Sequence, residues 1–311
     1  MATMKAVRLH EFGCPDVLRY EDAPRPEPGP GEVLIRVRAS SVNPADWKIR
    51  EGYFETMIPH TLPLILGLDA AGVVEAVGEG ITQFKRGDEV YASVGMTKDG
   101  SYAEYVTAAA GAVALKPKTA DFETAASVPT ALTAWQALYD IAHLASGQTV
   151  LIHGAGGAVG SAAVQFAKLR GTRVIATASG PDLEYVRGLG ADEVVDYKSG
   201  RFEDVTENVD VVLDTVGGET QARSFRTMKP GGVLVATTAP PDTDAAAKAG
   251  VTAKMIQVAP NAAQLREIGD RIDGGTLKVR VGLTLPLSEA RQAQEKGQAG
   301  QTRGKIVLTV A

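Results

Sequence analysis

Gly154, Gly157 and Gly160 recur at every third position of TVLIHGAGGAVG, residues 149–160, and Gly156 sits in the same turn. The spacing is G-x-x-G-x-x-G. Gly154, Gly156 and Gly160 do not fit G-x-G-x-x-G, because three residues separate the last two. A turn of this kind can accept a pyrophosphate: bare backbone comes close to the ligand, and the start of a following helix offers free N–H donors and partial positive charge. Gly154, Ala155, Gly156, Gly157, Ala158, Val159 and Gly160 are therefore candidate contacts to a nucleotide, and to a dinucleotide above all. Glycine alone would also suit a purely structural strand-to-helix turn. The flanking pattern favours the nucleotide. A short apolar run, 150–152, precedes the turn. Val159, Ala162, Ala163, Phe166 and Leu169 then follow at three- and four-residue steps, and a second apolar run occupies 173–177.

In such folds an acidic residue about 20 positions past the glycines binds the adenosine ribose hydroxyls. Here the second run ends Ala176-Thr177-Ala178-Ser179-Gly180, with no carboxylate. Ser179 and Gly180 leave room for a 2′-phosphate, which favours NADP(H) over NAD(H). Asp182 is the objection, since it could return to the ribose. Arg187, or a residue from another loop, would supply the cation a 2′-phosphate wants. Tyr197, at the end of the third run, either stacks on the adenosine end or is an ordinary strand-end tyrosine.

The elements that must carry these residues can be read from pattern. The chain has 311 residues, 44% of them hydrophobic and 22% charged, with a net charge of −5. That size suggests two domains with ample core. The acidic balance and the lack of a basic stripe argue against nucleic acid and anionic membrane surfaces. No apolar run approaches the length needed to span a bilayer, and MATMKAVRLHEFG lacks the apolar core of a signal peptide, so a cytoplasmic location is the expectation. The single cysteine, Cys14, permits no intrachain disulfide. His10, His60, His143 and His153 are scattered without ligand spacing, so no metal site is expected.

Residues 1–122 read as β-rich, with strands expected at 33–37, 70–77, 89–92 and 102–107 between Gly-, Pro- and Asp-containing turns. Residues 123–260 read as α/β. An alanine-rich helix at 125–142, interrupted by Pro129, leads into strands at 150–152, 174–176, 193–196, 209–215 and 233–237. Helical segments at 159–170, 181–189, 201–207 and 219–228 lie between them. This alternation predicts a doubly wound parallel sheet. Residues 239–250 read as a polar loop and 251–258 as a further strand. Residues 261–311 supply a helix at 261–273 and strands at 279–285 and 305–310, the last returning to the first domain.

Several motifs, in order, make the sequence resemble a known superfamily. They are SVNPADWKIREG (41–52), GLDAAGVVEAVGEG (67–80), FKRGDEVYA (84–92), GSYAEYV (100–106), the glycine turn, LGADEVVDY (189–197), LDTVGG (213–218) and LPLSEA (285–290). Over essentially its whole length the chain resembles the medium-chain dehydrogenases/reductases, in their zinc-free quinone oxidoreductase, zeta-crystallin-like branch. The resemblance implies a Rossmann dinucleotide-binding domain, a GroES-like catalytic domain and a homodimer. The family turn is usually A-x-x-G-x-x-G, with Gly154 here at the alanine. Zinc-dependent relatives carry a Cys-G-x-D-x-His block and a G-H-E block. Here Asn43 stands at the cysteine, Lys48 at the first histidine, and Gly67-Leu68-Asp69 at G-H-E, so the ligands are lost. The resemblance also sets Thr133 and Thr238 against the cofactor, and Val216 and Gly217 cap the fourth strand on the rim where ligands of open α/β sheets bind.

Hydride donation without a metal needs an acceptor that is already electrophilic, such as a quinone or an α,β-unsaturated carbonyl. Negative charge then develops on oxygen, where hydrogen-bond donors stabilise it. Asn43 offers an amide. Lys48 offers a cation, takes the place of a family tyrosine that approaches the nicotinamide ribose or substrate, and is otherwise a solvated lysine beside Trp47. Tyr53 and Phe54 either line an apolar pocket or pack as core. Asp46 reads as structural before it reads as a base. Two other readings stand beside an NADPH-dependent reductase of quinones or enones. One is a dinucleotide-binding scaffold or sensor with little turnover. The other is a reductase of enoyl thioesters.

Overall fold

The computed structural model describes residues 2–58 and 61–311, so His60 lies outside the described residues. The chain forms two compact units. The first is built from the chain up to Pro129 with Ala259–Gly275 and Val279–Ala311, and the second from Thr130–Val258 with Thr276–Lys278.

In the first unit the apolar run after PEPGPG extends into an 11-residue strand, Glu32–Val42. It is buried on both faces and is the axis of a seven-stranded sheet. It pairs antiparallel with Lys305–Thr309, Asp69–Val77 and Tyr105–Ala109. The register sets Ser41 opposite both Asp69 and Val307, and Val42 opposite Ile306. Asn43, Asp69 and Lys305 thus meet where the central strand ends. Past that end, Asn-Pro-x-Asp starts a helix, Pro44–Arg50, with Asn43 at the N-cap, Pro44 at the first turn and the Asp46 carboxylate accepting from the Asn43 N–H at 2.7 Å. The helix closes on Arg50, whose fully buried guanidinium donates to Gly13 O and Gln294 Oε1 at 3.0 and 2.7 Å. A three-stranded sheet orders Leu18–Pro24, Thr3–Leu9 and Leu64–Ile65. Its hairpin escaped the sequence reading because charges interrupt its alternation at Lys5, Arg8, Arg19 and Glu21. The expected strand at 102–107 begins later, at Tyr105–Ala109.

The second unit holds a six-stranded, all-parallel sheet. Its order is Glu193–Asp196, Arg173–Ala178, Thr149–Ile152, Val209–Asp214, Met228–Ala236, Thr252–Met255. This is the doubly wound Rossmann arrangement. Its strand order reverses between Thr149–Ile152 and Val209–Asp214, and ligands of such sheets bind at the carboxyl ends beside that reversal. The expected helix at 125–142 is divided at Pro129 into Phe122–Ser127, a 3-10 turn and Ala131–Trp135, which continues as a π-helix, Gln136–Ile141.

Two further segments differ from expectation. Residues 201–207 hold only a 3-10 turn, Phe202–Asp204, because Asn208 takes a positive φ of 56° and redirects the chain into the next strand. The polar stretch 239–250 contains a helix, Thr243–Lys248, nucleated by the Asp242 carboxylate accepting from Ala245 N–H and continued by alanines.

Candidate active site

In the second unit the glycine turn caps the sheet at its reversal. Gly157 is the N-cap of helix Ala158–Leu169 and has no side chain to cap it. Geometry leaves the N–H groups of Ala158, Val159 and Gly160 without intrahelical partners. The turn is fixed by backbone bonds from Ala155 N to Thr177 O and from Gly157 N to Gly154 O, each 3.0 Å. A Cβ on Gly160 would lie 2.3 Å from Gly154 O and 2.7 Å from Ala155 Cα, so the third glycine is what lets helix and turn touch.

Gly154 combines a φ of +68° with a Cβ position 2.3 Å from Thr215 Oγ1. Alanine, the residue the resemblance places there, is strained in this chain. Gly154→Ala should destabilise the protein by about 1–2 kcal/mol, the left-handed penalty for a side chain, read as an earlier urea midpoint. Co-substitution of Thr215 by Ser would leave that loss in place, because the penalty lies in the backbone of residue 154.

His153 is fully buried behind the turn. Ser224 Oγ donates to Thr220 O at 2.7 Å, so it must accept from His153 Nε2, 2.9 Å away. His153 Nδ1 is then the acceptor from Thr177 Oγ1 at 3.1 Å, and Thr177 Oγ1 in turn receives Gly154 N–H at 3.4 Å. Burial lowers the imidazole pKa to about 4, so the ring is neutral and holds one tautomer. From the sequence His153 stood only as one of four scattered histidines without ligand spacing.

Of the remaining second-unit candidates, Ser179, Gly180, Tyr197, Val216, Gly217 and Thr238 follow the carboxyl ends of parallel strands. Ser179 is half-buried and Gly180 exposed at the tip of strand Arg173–Ala178. Tyr197 is 59% exposed, with its N–H on Ala178 O. Asp182 lies against the turn itself: a Cβ on Gly156 would come within 2.9 Å of its Oδ2. Val216 is exposed, and Asp214 Oδ1 accepts from the backbone N–H of Val216 and Gly217 at 2.9 and 2.8 Å. Gly217 has a φ of +82°, and its Cβ would meet Thr238 Oγ1 at 2.7 Å, so these two candidates are brought together. Thr133 is half-buried in helix Ala131–Trp135.

In the first unit Asn43 is half-buried, with its Nδ2 donating to Asp69 Oδ2 at 2.8 Å and its Oδ1 accepting from Lys305 Nζ at 2.7 Å. Lys305 also donates to Val42 O at 3.0 Å and stands 3.8 Å from Asp69 Oδ2. Ser41 Oγ donates to the same carboxylate oxygen at 2.8 Å, while Ser40 and Ser101 hydroxyls hold the Asp69 carbonyl at 3.0 and 2.7 Å. Asp46 Oδ2 accepts from Tyr102 OH at 3.0 Å, and Asp46 Oδ1 is buried without a hydrogen-bond partner. Burial raises the Asp46 pKa to about 7 and lowers that of the Lys305 ammonium. Asp46 thus caps the helix through one carboxylate oxygen. Lys48 is half-buried on the same helix, and its carbonyl accepts from Tyr53 N–H at 2.9 Å. The Tyr53 ring is 67% exposed, whereas Phe54 packs on the apolar core. Asp69 and Lys305 carry the network, yet neither was singled out from the sequence as a participant.

Comparison with known proteins places this geometry. Two family models match, "Alcohol dehydrogenase GroES-like domain" over residues 29–118 and "Zinc-binding dehydrogenase" over residues 189–308. The Arabidopsis thaliana protein named NADPH-dependent alkenal/one oxidoreductase, chloroplastic, is 36% identical over 319 residues, which span 98% of this chain and 79% of the relative. A solved quinone oxidoreductase from Coxiella burnetii has a TM-score of 0.90 at 33% identity, with 100% of each chain covered. The chain belongs to the quinone oxidoreductase family of medium-chain dehydrogenases/reductases. A mycobacterial protein solved in complex with NADPH is similar to this family member at a TM-score of 0.88 and 32% identity, covering 99% of this chain and 100% of its own.

The zinc in the second family model's description can be tested against this member's side chains. They do not fit it. At the positions of the ligands stand an amide already shared between Asp69 and Lys305, a lysine and the apolar Leu68. A divalent cation there would face the Lys305 ammonium. Among the described residues no group of three or more His, Cys, Asp and Glu side chains comes together to hold a metal.

Proposed function

We propose that the chain is a zinc-independent, NADPH-dependent oxidoreductase whose acceptors are quinones or α,β-unsaturated carbonyls. The observation that carries this reading is the glycine turn at the sheet reversal, with three orphaned N–H groups and no carboxylate at the Ser179–Gly180 strand tip. NADPH when bound would supply the hydride. In this reading the turn at 154–160 holds the diphosphate. Ser179, Gly180 and Tyr197 take the adenosine end, and Thr133, Val216, Gly217 and Thr238 take the nicotinamide end. Asn43 and Lys48 donate to the acceptor oxygen as charge develops there, and Tyr53 shields the acceptor from water. The relatives' names, which include an alkenal/one oxidoreductase and a quinone oxidoreductase, support this acceptor class.

Purified protein, offered NADPH with a panel of quinones and enones, should oxidise the cofactor. No oxidation with any acceptor would sink the proposal and leave the scaffold or sensor reading. A carrier-linked enoyl thioester tested beside free enones separates the thioester reading.

A second reading concerns the cofactor. Asp182 lies on the turn at Gly156, where a carboxylate would repel a 2′-phosphate or bind ribose hydroxyls. We expect a lower KM for NADPH than for NADH, because Ser179 and Gly180, not Asp182, form the strand tip. Equal or reversed KM values would assign the ribose to Asp182.

The homodimer and the cytoplasmic location belong to the same proposal. Strand Thr252–Met255 is an edge of the six-stranded sheet and is largely exposed, with Met255 at 37%, which suits pairing with a second copy. Sedimentation should give twice the chain mass; a monomer overturns it. No helix among the described residues is long and apolar enough to cross a membrane, and the matched relatives include a chloroplastic protein. Fractionation of cells decides the compartment.

A further inference from the structure

We infer that Lys305 is a positioning residue for the reaction: its buried ammonium fixes the junction from which Asn43, Lys48 and Tyr53 are presented. The inference rests on the functional reading above, since it assigns Lys305 a part in that chemistry.

A lysine opening an edge-proximal strand ordinarily keeps its head in water. Lys305 is 5% exposed. Taking an ammonium out of water is costly unless it is paired and hydrogen-bonded, and a buried ion pair is weak reason to expect stability. What the arrangement does supply is orientation. The two directed bonds of the ammonium go to Val42 O at 3.0 Å and Asn43 Oδ1 at 2.7 Å, the last residue of the central strand and the N-cap of the following helix. The amide of an asparagine can lie either way round. Here a cation on one side and a carboxylate on the other leave one choice, with Oδ1 toward Lys305 and Nδ2 toward Asp69 at 2.8 Å. Asp69 is itself immobilised, by Ser41 on its side chain and by Ser40 and Ser101 on its carbonyl. The backbone of Asn43 is clamped separately by Asp46 at 2.7 Å. Both ends of one side chain and the N–H behind it are therefore set by polar groups drawn from residues 46, 69 and 305. The helix starting at Pro44 carries Lys48, and Tyr53 hangs from the Lys48 carbonyl, so a shift at the junction moves all three.

Lys305→Met, measured in the full chain with NADPH and the best acceptor, should lower kcat about 10- to 100-fold, the cost of a displacement near 1 Å. The KM for NADPH should stay within about twofold, since the glycine turn is untouched. The single variant strands the Asp69 charge and could unfold for that reason alone. Asp69→Asn combined with Lys305→Met removes both charges and should recover the melting temperature while kcat stays low. Recovery of kcat together with stability would reduce Lys305 to a counter-ion and overturn the inference, as would a folded Lys305→Met with wild-type kcat. A second readout needs no turnover. The side-chain NH2 signals of Asn43 in a 15N spectrum, assigned by their loss in Asn43→Asp, should move or broaden in the double variant. Unchanged signals overturn the inference even if the wild-type protein oxidises no NADPH, an outcome that would by itself defeat only the functional reading.

Discussion

Gly160→Ala should lose at least about 100-fold in NADPH affinity, or about 2.7 kcal/mol, while the first unit keeps its fold. The added methyl would sit 2.3 Å from the Gly154 carbonyl oxygen and 2.7 Å from Ala155 Cα. Both obstacles are backbone, so no side chain can rotate away. Relief requires the helix start to lift off the turn, and the N–H groups of Ala158, Val159 and Gly160 go with it. Those are the groups read as diphosphate donors, so the effect should appear as weakened binding before it appears as a slower chemical step. Fluorescence titration with NADPH measures it directly. The comparison is Gly157→Ala, whose Cβ would lie 3.3 Å from the same carbonyl, tight but adjustable. Equal losses in the two variants would mean that steric closure at Gly160 is not what shapes the turn.

Asp46→Asn should make the protein progressively more stable than the wild type as pH rises through neutrality. The folded-state pKa of Asp46 is raised to about 7 by burial, whereas an unfolded chain releases that proton near 4. Between those values the folded state holds the proton that the unfolded state has given up. Its contribution to stability is therefore complete below about pH 4 and is lost as pH climbs through about 7, with a limiting slope of about 1.4 kcal/mol per unit. Asparagine cannot ionise, and its carbonyl can still accept from Asn43 N–H and Tyr102 OH. The difference in unfolding free energy between variant and wild type should grow by about 2 kcal/mol between pH 5 and pH 8 in urea titrations. His153 acts at the other end of the scale. Its lowered pKa means that stability is lost as pH falls from its ordinary value of 6.5 to about 4, in variant and wild type alike, so it cancels in the difference. A difference that stays constant across the range would show that Asp46 is already ionised at pH 5.

The sequence revealed most clearly what depends on neighbours along the chain. The glycine turn, the amphipathic helix after it and the parallel strands on either side are local patterns, and the strands Glu193–Asp196 and Val209–Asp214 were read almost residue for residue. The Rossmann and GroES-like assignment came from several motifs in order. What the sequence hid depends on register. Asp69 and Lys305 are 26 and 262 positions from Asn43, and only the pairing of three strands makes them neighbours. Lys305 reads as an ordinary solvated strand-end lysine, and Asp69 as one letter of a degraded motif. His153 was concealed for the same reason, since its partners Thr177 and Ser224 are 24 and 71 positions away. The helix Thr243–Lys248 was missed because its polar surface outweighed a short alanine run capped by Asp242.

The strand Lys305–Thr309 lies against the middle strand of its sheet, not at the rim. A ribosome must therefore deliver residues 281–309 before that sheet can close, although its five earlier strands have all emerged by Leu115. The six strands of the parallel sheet are all synthesised by Met255 and can assemble while the earlier unit still waits with an open edge at Ala39–Val42. A nascent or prematurely terminated chain would expose this unpaired edge, a template for pairing with other chains. Chaperone demand and susceptibility to proteolysis should thus concentrate on the amino-terminal half of the protein, even though the missing piece is the carboxyl-terminal one.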